Sequence, residues 1–378
     1  NALFLVSQRV DALHRPSGIA EHELLQIRLG GVGKQADADA RSREDLAALR
    51  AVPGVTDAVI VNQVPFQRGS WNTSLANTPD QEVPTLNAAQ YMVTPGALQT
   101  FGLKLIAGRD FNADEYKDSS VLEQAADTNG MTGSIIVTES AAKKLFPDGG
   151  AKAAIGKTVY MANIPLTIVG VVERLTRPND GNGEWNDSML LPIRLNYDNG
   201  GFYVIRVKDP SQRSEVLKAA VAALDKIDPN RLVLDQRPYD EIRNDYFASD
   251  RDMIGLLIAV SMLLLAVTAL GIVGLASFWV QQRTKQIGIR RALGATRGQI
   301  LRYFQTENLL LATLGIAIGM VLAFGINHWL MAAYELPRLP WYYLPAGAAA
   351  LWLLGQLSVL GPALRAASVP PAVATRST

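Results

Sequence analysis

The chain has no cysteine and only three histidines in 378 residues. Disulfide frameworks, thiolate zinc sites and cysteine nucleophiles are therefore excluded. His14, His22 and His328 share no metal-ligand spacing. Acidic residues are scarce towards the C-terminus. Residues 253–378 hold nine Lys/Arg against two Asp/Glu, a balance of +7, whereas residues 1–252 hold 27 against 33, a balance of −6. The net charge of +1 thus hides a slightly acidic polar part joined to a basic apolar part. That division argues against a single soluble enzyme and against disorder. A nucleic-acid binder would need a concentrated basic face on its soluble part, which is absent. No Ser/His/Asp set or carboxylate pair stands out from ordinary surface charge, so no catalytic residue is assigned.

Two near-motifs fall short. Gly150-Ala-Lys-Ala-Ala-Ile-Gly156-Lys157-Thr158 has five residues between its glycines, where a phosphate-cradling loop needs four. It reads as a loop before a strand, leaving the chain without a nucleotide site of its own. Asp110-x-Asn112-x-Asp114 begins like a calcium loop, but Glu115 stands where the turn glycine belongs and Val121 where the bidentate glutamate belongs.

What the chain has is long apolar runs. Residues 253–280 contain no charge over 28 positions, about 42 Å of helix against a hydrocarbon core of about 30 Å. Residues 309–333 and 341–364 are two further spans; Trp341, Tyr342 and Tyr343 open the last as an interfacial belt. The loop 281–308 carries Arg283, Lys285, Arg290, Arg291, Arg297 and Arg302 against Glu307 alone, while 334–340 carries one Arg and one Glu. The positive-inside rule places 281–308 in the cytoplasm and residues 7–250 outside. Residues 1–6 read as the outer end of a first span that is cut away from the sequence. Asn327-His328, near the outer end of its span, reads as a headgroup cap.

The outer part alternates strand and helix patterns. Strands are expected at 24–29, 55–61, 134–138, 158–161, 166–172, 202–207 and 232–234. Helices are expected at 42–50, with Ser42 as N-cap and Asp45 three residues on, and at 139–146 and 211–227. Residues 65–84 read as a polar loop that includes Trp71. This is an α+β domain. Helical signal from 239 runs without Pro or Gly into the first apolar run. It predicts one continuous helix over 239–282, about 65 Å long.

The segment between the first two spans is the most specific. Ile289, Ala292 and Leu293 fall at i, i+3 and i+4 on a short helix, with Arg290 and Arg291 projecting away from that stripe. Gly294 suits the position after a helix end. Thr296 and Gln299 form a capping box for the next helix. A short basic helix on the cytoplasmic side fits either a groove on a partner or a polybasic lipid contact. Gly315-x-x-x-Gly319-x-x-x-Ala323 is a small-residue stripe suited to helix packing, within this chain or across a dimer seam; packing within the chain is the expectation.

The segment QRTKQIGIRRALGATRGQILRYFQTENLLLATLGIAIGMVLA resembles the FtsX-type permease domain of MacB-like ABC transporters. The phrases LRAVPGVTDAVIV, YMVTPGALQTFGLKLIAGRDF, IIVTESAAKKLFPDG, IGKTVYMANIPLTIVGVV and LLPIRL are similar to the MacB-type periplasmic core. The resemblance implies a periplasmic core over 7–238 and a permease domain over 239–378. The core would have a porter part, roughly 24–110 and 200–235, with an inserted part at roughly 111–195. It also implies a multi-pass protein of the bacterial inner membrane that works as a dimer, of identical or different chains, with a cytoplasmic ABC ATPase. That ATPase would be separate or fused and would hold ATP and magnesium; this chain would bind no cofactor. Lys285, Gln286, Ile287, Gly288, Ile289, Arg290, Arg291, Ala292, Leu293, Gly294 and Ala295 would form the coupling helix. ATP-driven movement would be transmitted to the periplasm to drive efflux, with a periplasmic adaptor and an outer-membrane channel as further partners. Regulation of a cell-wall hydrolase, or lipoprotein release, are alternatives for the same architecture.

Overall fold

A computed structural model describes residues 2–30, 37–119, 133–179, 185–196, 201–334 and 340–368. Its contacts divide the chain into two units, changing between His14 and Arg15 and again between Ala248 and Ser249. The first strands of the outer unit are β1 (Leu24–Gly30) and β2 (Val55–Val61). The chain then runs through β3 (Asn72–Leu75), β4 (Leu86–Met92), β5 (Leu105–Gly108), β6 (Lys117–Asp118), β7 (Gly133–Thr138), β8 (Thr158–Met161), β9 (Ile164–Val172), β10 (Ser188–Leu191) and β11 (Ile193–Arg194). It closes with β12 (Phe202–Val207) and β13 (Leu232–Pro238).

Two sheets carry the unit. The first has the order β13-β1-β12-β2 and is antiparallel throughout. Side chains alternate along its strands. Leu25, Ile27 and Leu29 of β1 and Tyr203, Ile205 and Val207 of β12 enter one core. Helices Ala38–Arg50 and Arg213–Ile227 cover that face. Val216, Ala220 and Leu224 give the second helix its buried stripe, at every fourth residue. The second, mixed sheet has the order β3-β4-β10-β7-β9-β5, with β8 hydrogen-bonded to β9. Its core is closed by helix Glu139–Leu145 and the short helix Gly150–Ala154. Thr138 caps the first of these through its hydroxyl. Ala162 and Asn163, both at positive φ, turn the β8–β9 hairpin.

Four expectations change. The inserted part begins at β3, not near residue 111, because β3, β4 and β5 all pair within the second sheet. The Asn-Thr-Ser-Leu sequence of β3 has little apolar alternation, so it read as part of the polar loop. Residues 150–154 form a short helix rather than a loop. The helix expected from Ser42 starts at Ala38, and Ser42 lies inside it, its hydroxyl donating to the Ala38 carbonyl at 2.9 Å. Asp45 does not serve a cap; it is fully buried, accepting from Tyr203 Oη at 2.6 Å and from Arg231.

Finally, the helix expected over 239–282 is interrupted. One helix spans Tyr239–Tyr246 and the next Ala248–Gln282, with Phe247 between them. Phe247 is buried against Phe66, with ring centroids 5.1 Å apart, so an aromatic anchor replaces helical continuity.

The near-calcium segment is a local clamp. Asn112 donates its backbone N–H to Glu115 at 2.6 Å, and Arg109 donates twice to the same carboxylate, at 2.7 and 2.9 Å. These bonds, led by Arg109, hold the Glu115 carboxyl down at about 2. Val121 lies outside the described residues. A carboxyl depressed in the folded state stabilises fully above its unfolded value, and that stabilisation fades as pH falls towards the folded one. We therefore expect the stability of Glu115→Gln and of the parent chain to converge in acid titrations between about pH 4.5 and about 2. A constant difference throughout that range would contradict this.

The Asp45 network gives a second prediction. The Arg231 side chain is only 3% exposed, and burial together with Asp45 holds the Tyr203 hydroxyl protonated as a donor. Asp45→Ala removes the closest carboxylate from a buried guanidinium, leaving the Leu224 carbonyl and the Asp228 carboxylate 4.0 Å away, and is expected to cost about 3 kcal/mol, read as a lowered midpoint of chemical unfolding.

Candidate functional site

Among the described residues, the second unit holds three helices long and apolar enough to cross a membrane: Ala248–Gln282, Arg297–Tyr334 and Tyr343–Ala367. Helix Ala2–Leu13 belongs to the same unit. Between the first two apolar helices lies the basic helix Thr284–Ala292. Among the described residues its buried anchor lies on one side. Ile287, 5% exposed, packs with Val280, Ile300, Phe304, Val359, Ala363, Ala366 and Ala367, and Gly288 is buried beside it. The alanines at the end of the third apolar helix let the helices come close.

Polar contacts fix the turn further. Arg283 reaches Glu307 at 3.0 and 3.1 Å and lies near the Tyr303 hydroxyl at 3.4 Å. The Arg290 guanidinium lies over the Tyr303 ring, 4.9 Å from its centroid, a cation–π arrangement. Between the basic helix and the following helix is a cavity of about 170 Å³ lined by Arg283, Gln286, Arg290, Gln299 and Tyr303 over Ile287, Ile300 and Phe304.

The turn closes as its residue types require. Gly294 has φ 100°. Its N–H donates to Arg291 O at 3.1 Å, and Ala295 N–H donates to Arg290 O at 3.0 Å. These two bonds form a Schellman motif. Thr296 N–H then donates to Gln299 Oε1 at 2.9 Å, and Gln299 N–H to Thr296 Oγ1 at 3.3 Å, completing the capping box.

Among the described residues, nothing covers the apolar stripe on the other side of the basic helix. Leu293 is 83% and Ile289 47% exposed. Lys285, Ala292 and Gly294 are exposed on that side; Gln286 and Arg290 are exposed too but border the cavity towards Tyr303, and Arg291 and Ala295 are half-buried. Sequence reasoning named the stripe of Ile289, Ala292 and Leu293 but not the anchor opposite it. The ion pair of Arg283 and Glu307, the residues that bracket the turn, was also missed. Its signal was available: Glu307 is the single acidic residue of that loop.

Gly315 and Gly319 do not pack within this chain among the described residues. A Cβ built at either meets no heavy atom within 4 Å, and Ala323 is half-buried. The third apolar helix is held by a different face of its neighbour, through Trp352 Nε1 to Thr313 Oγ1 at 3.1 Å and Gln356 Nε2 to Gln305 O at 3.4 Å. Those polar side chains, rather than the small-residue stripe, select the packed face. The expected loop residues Glu335 and Arg338 lie outside the described residues.

Two families match the sequence: the MacB-like periplasmic core domain over residues 7–223 and the FtsX-like permease C-terminal domain over residues 258–371. The chain belongs to the MacB/FtsX-type permeases. Its outer unit corresponds to the periplasmic core of that family, and its apolar helices to the permease part. The fold is thus an α+β periplasmic domain joined to apolar helices. The permease is 29% identical over 250 residues to the macrolide export ATP-binding/permease protein MacB of Chromobacterium violaceum, which covers 64% of this chain and 36% of that protein. The protein of the same name from Neisseria gonorrhoeae is 25% identical over 264 residues, covering 68% and 38%. The chain therefore spans little more than a third of the length of these curated relatives. Among solved structures, the periplasmic region of MacB from Actinobacillus actinomycetemcomitans aligns at 18% identity with a TM-score of 0.37, covering 62% of this chain and 97% of that one. The extracellular domain of the noncanonic ABC-type transporter YknZ from Gram-positive bacteria aligns at 16% identity with a TM-score of 0.34, covering 56% and 100%.

The Schellman turn of the permease yields a prediction. A side chain at Gly294 must adopt φ 100°, which L-residues avoid. Gly294→Val is expected to fray the end of the basic helix by about 1–2 kcal/mol, seen as faster amide exchange at position 294 and at Ala295 than in the parent chain.

Proposed function

We propose that this chain is the membrane permease subunit of an ABC exporter, and that Lys285–Ala295 is the segment that receives the ATPase. The observation that carries the reading is the one-sided anchoring of the basic helix in a chain of this family. Ile287 ties the helix to the apolar bundle, while Leu293 and Ile289 remain bare among cationic side chains. Burying each of those two side chains against a partner would contribute about 1.5–3 kcal/mol. Arg290 and Lys285 would add salt-dependent attraction to an acidic groove. A helix pinned at its back and free at its front transfers a push from the partner directly into Phe304 and the alanines behind Ile287.

ATP and magnesium would sit on the ATPase, whether a separate subunit or another domain of a longer polypeptide. The loop charges favour a cytoplasmic basic turn and a periplasmic outer unit in an inner-membrane protein. The permease would act as a dimer, with the exposed Gly315 and Gly319 and the half-buried Ala323 available for helix contact with a second permease or with another span. ATP-driven movement would reach the periplasmic unit as mechanotransmission and drive efflux there, with an adaptor and an outer-membrane channel as further partners. The helix break at Phe247 means that displacement would not travel along one uninterrupted rod.

The test is co-purification of nucleotide-hydrolysing activity with the tagged permease from its native membranes. Leu293→Asp combined with Ile289→Asp is expected to lower the co-purified Mg-ATPase activity at least tenfold while leaving permease yield unchanged. Equal activity from parent and variant would overturn the assignment.

A further inference from the structure

A cleft of about 810 Å³ in the outer unit lies on the face of the first sheet that its helices leave uncovered. Gln26 and Arg28 of β1, Phe202 of β12, and Asp235 and Arg237 of β13 form the floor. In β1 and β12 the sequence neighbours of Gln26, Arg28 and Phe202 (Leu25, Ile27, Leu29 and Tyr203) point into the core, so strand alternation presents those three to the cleft. One wall is the segment from Gln63 to Trp71, and the other is helix Tyr239–Tyr246, through Ile242, Asp245 and Tyr246.

The first wall is built to hold its shape. Gln63, 1% exposed, accepts from Trp71 N–H at 2.7 Å and donates to Trp71 O at 3.1 Å. Gln67 N–H donates to Pro178 O at 2.8 Å, and Asn179 donates to Arg68 O at 2.7 Å. Phe66 sits at φ 63°, unusual for a bulky residue. It is held there by Tyr246 and Phe247 and by Arg243 stacked 4.6 Å from its ring centroid. Tyr239 Oη donates to the neighbouring Pro65 O. These bonds fix the backbone while leaving Trp71 61% exposed at the rim.

The charge inventory is unequal. Three guanidinium groups face two carboxylates. Both carboxylates, Asp235 and Asp245, are engaged by Arg237. Arg28 is stacked on Phe202 at 5.5 Å, and neither it nor Arg68 has an ion-pair partner among the described residues. A cleft of a few hundred to a thousand Å³ with aromatic lining and a few fixed polar groups is the usual form of a small-molecule site. Unpaired guanidinium groups in it select a carboxylate or phosphate.

We propose that this cleft binds a small amphiphile, with its anionic head between Arg28 and Arg68 and its apolar or aromatic body against Trp71, Phe202 and Tyr246. The site does not depend on the assignment of the ATPase-binding helix. Soluble solutes and anionic membrane lipids both carry this chemistry, and the experiment separates them.

The full chain in nanodiscs of phosphatidylcholine is titrated with 2-naphthyl phosphate by equilibrium dialysis, with 2-naphthol as the uncharged control. The expected result is saturable one-to-one binding, weakened at least tenfold by Arg28→Gln combined with Arg68→Gln and strongly disfavouring 2-naphthol. Gly69→Trp provides a second variant. A Cβ at Gly69 meets nothing within 4 Å, and a large side chain there would fill the cleft; it is expected to abolish binding. Adding phosphatidylglycerol to the nanodiscs distinguishes the sources: competition with the probe assigns the site to a lipid head, and unchanged binding assigns it to a soluble anion. Absence of saturable binding, equal binding by 2-naphthol, or full binding by both the double variant and Gly69→Trp would overturn the proposal.

Discussion

The insertion of Ile287 into the apolar junction of Val280, Ile300, Phe304 and the alanines at 363, 366 and 367 is the contact on which the second unit's architecture depends. Without it, a nine-residue helix rich in arginine would have no reason to remain folded, since isolated helices of that length are marginal in water. With it, the helix has a buried back and a bare front. Arg283 paired to Glu307 then fixes the entry to the helix, and Gly294 with the Thr296–Gln299 capping box fixes the exit. Each device is modest in energy. Together they orient Leu293 and Ile289 outwards, which gives the proposed partner contact its geometry.

The outer unit solves a different problem. Two sheets, each with its own core, must hold together in one chain, and buried polar anchors contribute to both. Asp45, Arg231 and Tyr203 tie helix Ala38–Arg50 to the first sheet and to the segment that leads into β13. Arg177, fully buried, donates to Asn87 O at 2.7 Å and to Asn72 at 2.9 Å, joining β3 and β4 to the chain beyond β9. Such groups are costly to bury without partners, and the hydrogen bonds they do make restrict the arrangement of the elements they join. The same economy appears at the cleft, where Gln63 and Phe66 are consumed in holding a wall whose outermost side chain, Trp71, is left exposed.

Much of this was legible in the sequence. Apolar runs marked all three long helices, because about 20 consecutive apolar residues match the length of a membrane crossing and exceed what most soluble helices carry. Gly294, Thr296 and Gln299 announced their turn because cap chemistry is local. Strands β2 and β12 were read to the residue, both being β-branched and well bounded. What was not legible depends on distant partners. Nothing local marks β3 as a strand; its pairing with β4 does. Ser42 and Asp45 have the spacing of a cap, and only the approach of Tyr203 and Arg231 shows that Asp45 faces inwards. Phe247 looks like an ordinary helix residue until Phe66, far earlier in the chain, supplies its pocket. The anchor residue Ile287 was included in the basic segment but not distinguished, since its burial rests on the third apolar helix.

Absence of cysteine makes the central claim directly measurable, since a single Leu293→Cys variant carries the chain's sole thiol. The variant is labelled with a membrane-impermeant maleimide in intact cells and in inverted membrane vesicles. The account predicts labelling only in inverted vesicles, and slower labelling there when the co-purifying ATPase is bound than after it has been stripped. Labelling in intact cells, or a rate indifferent to the ATPase, would contradict it.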